Sequence, residues 1–150
     1  MSFKQFKLVD DIMKAVEYQG YTTPTPIQEK AIPIVLDGND VLAAAQTGTG
    51  KTASFTLPLL QQLQKQPPLG KRRIRALVLT PTRELAAQVH DNIVELARYL
   101  NLKSTVIFGG VSEKSQISTL NKGVDILIAT PGRLLDLHSR GFCSFDALEF

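Results

Sequence analysis

The chain has 150 residues, of which 43% are hydrophobic and 21% are charged, so it is long enough for one globular domain and is not a disordered chain. Its single cysteine, Cys143, excludes an internal disulfide and a thiolate metal cluster, and no apolar run approaches the roughly 18 residues of a membrane span. The net charge of +3 is compatible with a polyanionic partner, and the first residues lack a signal-peptide pattern, so we expect a cytoplasmic protein without membrane contact.

Two helices are predicted before residue 40. Apolar residues at helical spacing over residues 8–16 predict the first, and Gly20 is the predicted stop. The second has a strong start signal, because Thr25 suits the N-cap, Pro26 suits the first helical position and Gln28 completes a capping box.

A glycine-rich loop follows at residues 45–52, which read Ala-Gln-Thr-Gly-Thr-Gly-Lys-Thr. The apolar run 41–44 before it is predicted to be a strand, and residues 55–63 after it have a helical pattern. A strand, a glycine-rich loop and a helix in this order are the context of a phosphate-binding P-loop.

The residue types of this loop suit phosphate. Gly48 and Gly50 allow the backbone to curl so that its N–H groups converge, and Lys51 adds a charge that can reach the β- and γ-phosphates. Thr52 offers a hydroxyl to Mg²⁺. The general pattern begins with Gly, whereas this loop begins with Ala45.

Three further strands alternate with helices. The predicted strands are residues 76–79, 104–108 and 125–129, and the predicted helices are residues 82–100, 112–120 and 133–138. This alternation predicts an α/β fold with a mostly parallel sheet and helices on both faces. Ligands of such sheets bind beyond the carboxyl ends of the strands.

Two strands end in the same way, with Thr80-Pro81-Thr82-Arg83 and with Thr130-Pro131-Gly132-Arg133. Proline at a helix start leaves the first N–H groups free beside a guanidinium, so each copy predicts an anion site. Gly109 and Gly110 lie at a third strand end, where they permit close approach of another backbone. The alternative is that both copies are plain helix starts whose arginines form ion pairs, for example with Glu84 or Asp136.

Other polar features have simpler interpretations. The basic cluster at residues 71–73 is interpreted as a solvated loop, with a nucleic-acid contact as the alternative. His90 and His138 lie in helical segments without a metal-ligand pattern and are interpreted as surface or packing residues.

Taken in order, these motifs make the chain resemble the first RecA-like domain of a DEAD-box RNA helicase, close to the bacterial RhlE-type group. The resemblance covers residues 1–150 as the N-terminal part of that domain. It includes the Q motif (within about residues 1–29), motif I (45–52), motif Ia (81–86), the GG motif (109–110) and motif Ib (130–133). The family usually has Ala at the first position of motif I, as Ala45 is here.

The resemblance implies a RecA-like P-loop NTPase fold that binds ATP with Mg²⁺. Gln28 should read the adenine edge, and Phe3, which stands 17 residues before Gly20, should stack on the adenine ring. Lys51 and Thr52 should act in catalysis, with Thr52 on the metal. The other nucleotide-binding residues implied are Tyr21, Thr23, Ala45, Gln46, Thr47, Gly48, Thr49 and Gly50.

The resemblance also implies contacts to the backbone of single-stranded RNA, without base specificity. The residues implied are Pro81, Thr82, Arg83, Gly109, Gly110, Thr130, Pro131, Gly132 and Arg133.

The chain departs from the family pattern at its end. The family's next strand carries Asp-Glu-Ala-Asp, and a second RecA-like domain follows; neither occurs in these 150 residues. We therefore expect an incomplete domain that does not hydrolyse ATP alone. One alternative is a non-catalytic nucleotide-, RNA- or protein-binding module. Another, a P-loop enzyme acting on DNA or a small molecule, is disfavoured by Gln28 and by both Thr-Pro-x-Arg sites.

Overall fold

The computed structural model describes residues 1–46, 48 and 50–150. They form two compact units, one of Met1–Gln66 with Asn92–Asn101 and one of Pro67–Asp91 with Leu102–Phe150. The glycine-rich loop therefore belongs to the first unit. The Thr-Pro-x-Arg sites and the GG pair belong to the second.

The first unit is helical. After a short 3₁₀ helix, Phe3–Phe6, it contains α1 (Asp10–Tyr18), α2 (Pro26–Leu36) and α3 (Lys51–Gln64). Helices α2 and α3 pack against each other. The largest fully buried apolar side chains of these helices are Ile12, Ile32, Leu57, Leu60 and Leu63.

The helix starts of this unit follow the local sequence signals. The capping box of α2 is present, with the Thr25 hydroxyl accepting from the Gln28 backbone N–H and the Gln28 side chain accepting from the Thr25 N–H. Pro26 occupies the first turn, as predicted. Helix α3 begins at Lys51, and its N-cap is Gly50, which has a left-handed φ of 81° that favours glycine.

The predicted strand over residues 41–44 is wrong. These residues have no regular secondary structure, and the Leu42 side chain is fully exposed. A strand needs neighbours that take its backbone hydrogen bonds, and in the described part of the chain no strand lies beside this run. Its apolar composition alone does not form a strand.

The second unit is built on a parallel sheet of three strands. The strands are β1 (Ala76–Leu79), β2 (Ser104–Ile107) and β3 (Ile126–Ala129), in the order β1-β3-β2. All four residues of the central strand β3 are fully buried, as its continuous apolar sequence predicts.

The helices of the second unit are α5 (Lys114–Lys122), which packs against β2, and α6 (Pro131–Ser139). Helix α4 (Arg83–Leu96) belongs to this unit up to Asp91. The parallel sheet flanked by helices confirms the predicted α/β fold class. None of the helices among the described residues is long and apolar enough to cross a membrane.

The predicted helix 82–100 ends earlier than expected, at Leu96. Beyond Leu96 two backbone hydrogen bonds span three residues instead of four. The Arg98 N–H donates to the Glu95 carbonyl, and the Leu100 N–H donates to the Ala97 carbonyl. Such three-residue spacing is common where a helix unwinds at its C-terminus.

A buried carboxylate joins the amino ends of the strands. Asp125, directly before β3, is fully buried and accepts from Arg72 Nη1 at 2.5 Å and from the Lys103 backbone N–H at 2.8 Å. Arg72 precedes β1 and Lys103 precedes β2, so a single side chain sets the relative position of all three strand starts.

The last two residues pair with the outer edge of β1. The Glu149 N–H donates to the Arg75 carbonyl at 2.8 Å, and the Leu77 N–H donates to the Phe150 carbonyl at 3.0 Å.

Candidate nucleotide and nucleic-acid sites

The side chain of Gln28 links the start of α2 to the glycine-rich loop. It is 4% exposed, its Oε1 accepts from the Thr25 N–H at 3.0 Å, and its Nε2 donates to the Gly50 carbonyl at 3.2 Å. Within the part of the chain that the structure describes, these bonds leave one N–H and one oxygen lone pair of the carboxamide for another partner. The residue predicted to read the base therefore contacts the loop predicted to hold the phosphates.

The aromatic residue predicted to stack on adenine is packed among other rings. Phe3 is 2% exposed, lies edge-on to Phe6 at 5.9 Å and stacks on Tyr21 at 6.3 Å between ring centroids. Stacking of Phe3 on a base would require one of its ring faces to be uncovered. Thr23, also implied in nucleotide binding, is exposed.

The glycine-rich loop ends in a geometry that suits an anion. Gly48 and Gly50 both have a φ of 81°, and the 14-residue helix α3 begins directly after them. The side chain of Lys51 is exposed at the first position of this helix, and Thr52 is half-buried next to it. Helix N–H groups, their dipole and a lysine are groups that can bind phosphate oxygens, so the predicted phosphate site at this loop stays a prediction that the geometry allows.

The other described residues of the glycine-rich loop show no geometry that supports or opposes a nucleotide contact. Ala45 is half-buried, and Gln46 is exposed. Thr47 and Thr49 lie outside the described residues, so their predicted nucleotide contacts stay predictions.

Three polar segments meet at the carboxyl edge of the sheet. The register aligns Leu79, Ala129 and Ile107, so Thr80, Thr130 and Phe108 all leave the sheet at one level. The Thr80 N–H donates to the Ala129 carbonyl at 3.0 Å and the Thr130 N–H to the Ile107 carbonyl at 3.1 Å. The sequence prediction that both Thr-Pro-x-Arg segments and the GG pair share an edge is therefore confirmed.

The two Thr-Pro-x-Arg copies differ in detail. Pro131 opens α6, as predicted. Pro81 does not open a helix, because α4 begins two residues later, at Arg83, and the Thr82 hydroxyl accepts from the Leu85 N–H at 3.2 Å. A threonine directly before a helix commonly caps it by accepting from an N–H of the first turn. Thr82 therefore starts α4 in place of the proline.

The guanidinium of Arg83 lies beside the GG turn. Its side chain is 52% exposed, and its Cζ lies 5.8 Å from the centroid of the Phe108 ring. A Cβ added to Gly110 would lie 3.0 Å from Arg83 Nη1, so this glycine permits the close approach. The distance from Arg83 Nε to Glu84 is 4.0 Å on an exposed surface, which makes the alternative of a structural ion pair weak here.

The guanidinium of Arg133 also binds next to this turn. Its Nη2 donates to the Val111 carbonyl at 3.0 Å, and its Nη1 donates to Gln116 Oε1 at 2.9 Å. The ion pair with Asp136 offered as an alternative is not formed among the described residues, since Asp136 pairs with Arg140 at 2.9 Å. Both arginines thus converge on the segment 108–111.

Sequence reasoning missed two residues of this edge, Gln116 and Arg140. Gln116 is buried on α5, four residues before the buried Leu120, and a polar residue on an apolar helix face is the signal that could have identified it. Arg140 binds the carboxylates of both Glu113 and Asp136. Its hydrogen bond is the main reason why the pKa of Glu113 lies below the usual value.

The basic cluster 71–73 lies at the opposite, amino edge of the sheet. Arg72 pairs with the buried Asp125, so its role is structural. Lys71 and Arg73 line a cavity of about 360 Å³ together with Phe142 and Cys143. Burial raises the pKa of the Cys143 thiol, which disfavours the reactive thiolate form.

No group of three or more His, Cys, Asp or Glu side chains that could hold a metal occurs among the described residues. His138 is exposed and stacks on Phe145 with 5.0 Å between ring centroids, which agrees with its interpretation as a surface or packing residue. For Mg²⁺, the loop offers the hydroxyl of Thr52, and bound phosphate oxygens would have to supply further ligands.

The sequence is similar to those of known helicases. A sequence model of the DEAD/DEAH box helicase family matches residues 25–150. The DEAD-box ATP-dependent RNA helicase RhpA of Helicobacter pylori strain B128 is 49% identical over 135 residues, which are 90% of this chain and 26% of the relative. The probable ATP-dependent RNA helicase ddx27 of Dictyostelium discoideum is 48% identical over 99% of this chain and 19% of the relative.

A third relative is the ATP-dependent RNA helicase CshA of Limosilactobacillus reuteri, 40% identical over 99% of this chain and 29% of its own length. The chain therefore spans about a fifth to under a third of the length of these three relatives. These relatives are bacterial and eukaryotic, and the RhlE-type subgroup stays a prediction.

Proposed function

This chain belongs to the DEAD/DEAH box helicase family, and we propose on that premise that the whole protein is an ATP-dependent RNA helicase. In this proposal the chain binds ATP or ADP through the Q motif and the P-loop. It binds the backbone of single-stranded RNA through motifs Ia, GG and Ib.

The observation that carries the nucleotide part is the position of Gln28 against Gly50. The free N–H and the free lone pair of its carboxamide complement adenine, which presents an acceptor and a donor side by side at N7 and N6. Guanine presents two acceptors on that edge, so it would leave the Gln28 oxygen without a partner. Phe3 would cover the face of the base once one of its ring faces is uncovered from Phe6 or Tyr21.

The phosphates would bind at the start of α3. A Cβ at Gly48 would meet nothing within 4 Å, so the loop is open to a polyanion there, and the first N–H groups of α3 supply donors. Lys51 would reach the β- and γ-phosphates, and the Thr52 hydroxyl would be a ligand of Mg²⁺. The metal would neutralise charge that develops on the phosphates during transfer.

The RNA would bind along the carboxyl edge of the sheet. Arg83 and Arg133 flank the turn at Gly109 and Gly110, where small residues permit close approach of a phosphate. The first turn of α6 adds backbone donors behind Pro131. None of these groups reads a base edge, which supports binding without sequence preference.

Fluorescence anisotropy with a labelled oligouridine and a labelled mixed-sequence oligonucleotide tests the RNA part. We expect equal affinity for the two, and an affinity that falls with salt at a log–log slope of about −0.7 per neutralised phosphate. An affinity independent of salt, or a strong preference for one sequence, would contradict the proposal.

A further inference from the structure

A buried carboxamide connects two of the segments proposed to bind RNA. Gln116 on α5 is 7% exposed, and its Nε2 donates to the Phe108 carbonyl at 3.1 Å while its Oε1 accepts from Arg133 Nη1 at 2.9 Å. Phe108 follows β2, and Arg133 lies in α6. One side chain therefore fixes the GG turn relative to the guanidinium.

The neutral amide of Gln116 satisfies both partners, which a carboxylate could not. It offers a donor to the carbonyl and an acceptor to the guanidinium, whereas a carboxylate offers acceptors alone. The second acceptor of Arg133, the Val111 carbonyl, is also neutral. Arg133 is thus oriented by two hydrogen bonds, neither of which cancels its charge.

The nearby acidic side chains are bound elsewhere. Glu113 and Asp136 both accept from Arg140. Among the ion pairs of the described residues none includes Arg133. Arg133 therefore forms no ion pair with a carboxylate in the described part of the chain, although its charge contributes to the lowered pKa of Glu113.

We propose that Gln116 is a positioning residue of the RNA site, which holds Arg133 against the GG turn with a neutral acceptor. The charge of Arg133 and its other N–H groups then stay available to an RNA phosphate. This inference rests on the proposed RNA-binding function. It adds a residue that itself need not contact RNA.

The test replaces the amide with a carboxylate in the full chain. Gln116→Glu keeps the acceptor for Arg133 but neutralises its charge and places an acceptor against the Phe108 carbonyl. Asn121→Asp is the matched control, because it makes the same change of charge at an exposed position of the same helix. Affinity for labelled oligouridine is measured by anisotropy over a range of KCl concentrations.

We expect Gln116→Glu to bind about tenfold more weakly at low salt than Asn121→Asp, as for one lost charge-assisted hydrogen bond. The slope of log affinity against log KCl concentration should be shallower for this variant by about 0.7, as for one lost phosphate contact. Equal affinity and slope in the two variants would overturn the inference. If the unmodified chain binds no RNA, the proposed function itself fails.

A second measurement needs no RNA. Gln116→Met keeps the length of the side chain and removes both hydrogen bonds. We expect the Arg133 side-chain NMR signals and the Gly109 and Gly110 amide signals to shift in this variant and to stay unchanged in Asn121→Asp. Unchanged signals in Gln116→Met would show that Gln116 does not position this edge, whether or not RNA binds.

Discussion

The side chain of Gln28 donates a hydrogen bond to the backbone carbonyl of Gly50, with 3.2 Å between Nε2 and the oxygen. Because Gly50 is also the N-cap of α3, this bond joins the proposed base-reading residue to the proposed phosphate site. A substitution at either residue should therefore change the position of the other.

Gly50→Ala should destabilise the chain more than Gly48→Ala. Both glycines have a φ of 81°, where alanine costs about 1 kcal/mol. A Cβ at Gly50 would also press on Gln28 Nε2, whereas a Cβ at Gly48 would meet nothing within 4 Å. Thermal unfolding followed by circular dichroism measures the difference.

The double variant Gln28→Ala/Gly50→Ala separates these two costs. Removal of the Gln28 side chain removes the steric contact, so the double variant should lose less stability than the sum of the single variants. Additive losses would show that the two residues are not coupled.

Lys51→Ala should weaken nucleotide binding without a change in secondary structure. The lysine is exposed at the start of α3, and alanine is a good helix former. Lys65→Ala, which removes an exposed lysine just beyond the other end of α3, is the matched control. If ATP affinity in Lys51→Ala equals that of the control, the phosphates do not bind this loop.

Asp125→Asn should destabilise the chain by about 3 kcal/mol, because it leaves the mostly buried Arg72 without its carboxylate. The loss also weakens the hydrogen bond from Lys103 before β2. Urea unfolding measures the change, with the exposed Asp146→Asn as the control. Equal midpoints for the two variants would mean that the buried pair does not stabilise the strand starts.

We expect this chain alone not to hydrolyse ATP. A P-loop enzyme uses a carboxylate beyond a neighbouring strand end to hold Mg²⁺, and the residues that follow the three strands are Thr80, Phe108 and Thr130. Phosphate release should equal the buffer blank with or without RNA. RNA-stimulated release that disappears in Lys51→Ala would contradict this expectation.

Local signals predicted much of the fold. The start of α2 depends on Thr25, Pro26 and Gln28, which are neighbours in sequence, and the structure confirms it. The buried strand β3 was predicted from its own apolar sequence, and the structure confirms it. In each case the residues that decide the element lie within the element or directly before it.

Long-range partners could not be predicted in this way. Residues 41–44 are apolar but lack a neighbouring strand among the described residues, and no property of the run itself reveals this. Likewise the sequence offered Asp136 as a partner of Arg133, whereas Asp136 binds Arg140 and Arg133 binds Gln116. The choice among several acceptors depends on the packing of α5 and α6.

The most direct test of the proposed nucleotide site is a calorimetric titration of the chain with ATP and with GTP, in the presence of Mg²⁺. The free donor and acceptor of Gln28 predict tighter binding of ATP, and Gln28→Ala should remove most of that preference. Equal affinity of the unmodified chain for the two nucleotides would contradict the assignment of Gln28 as the residue that reads the base.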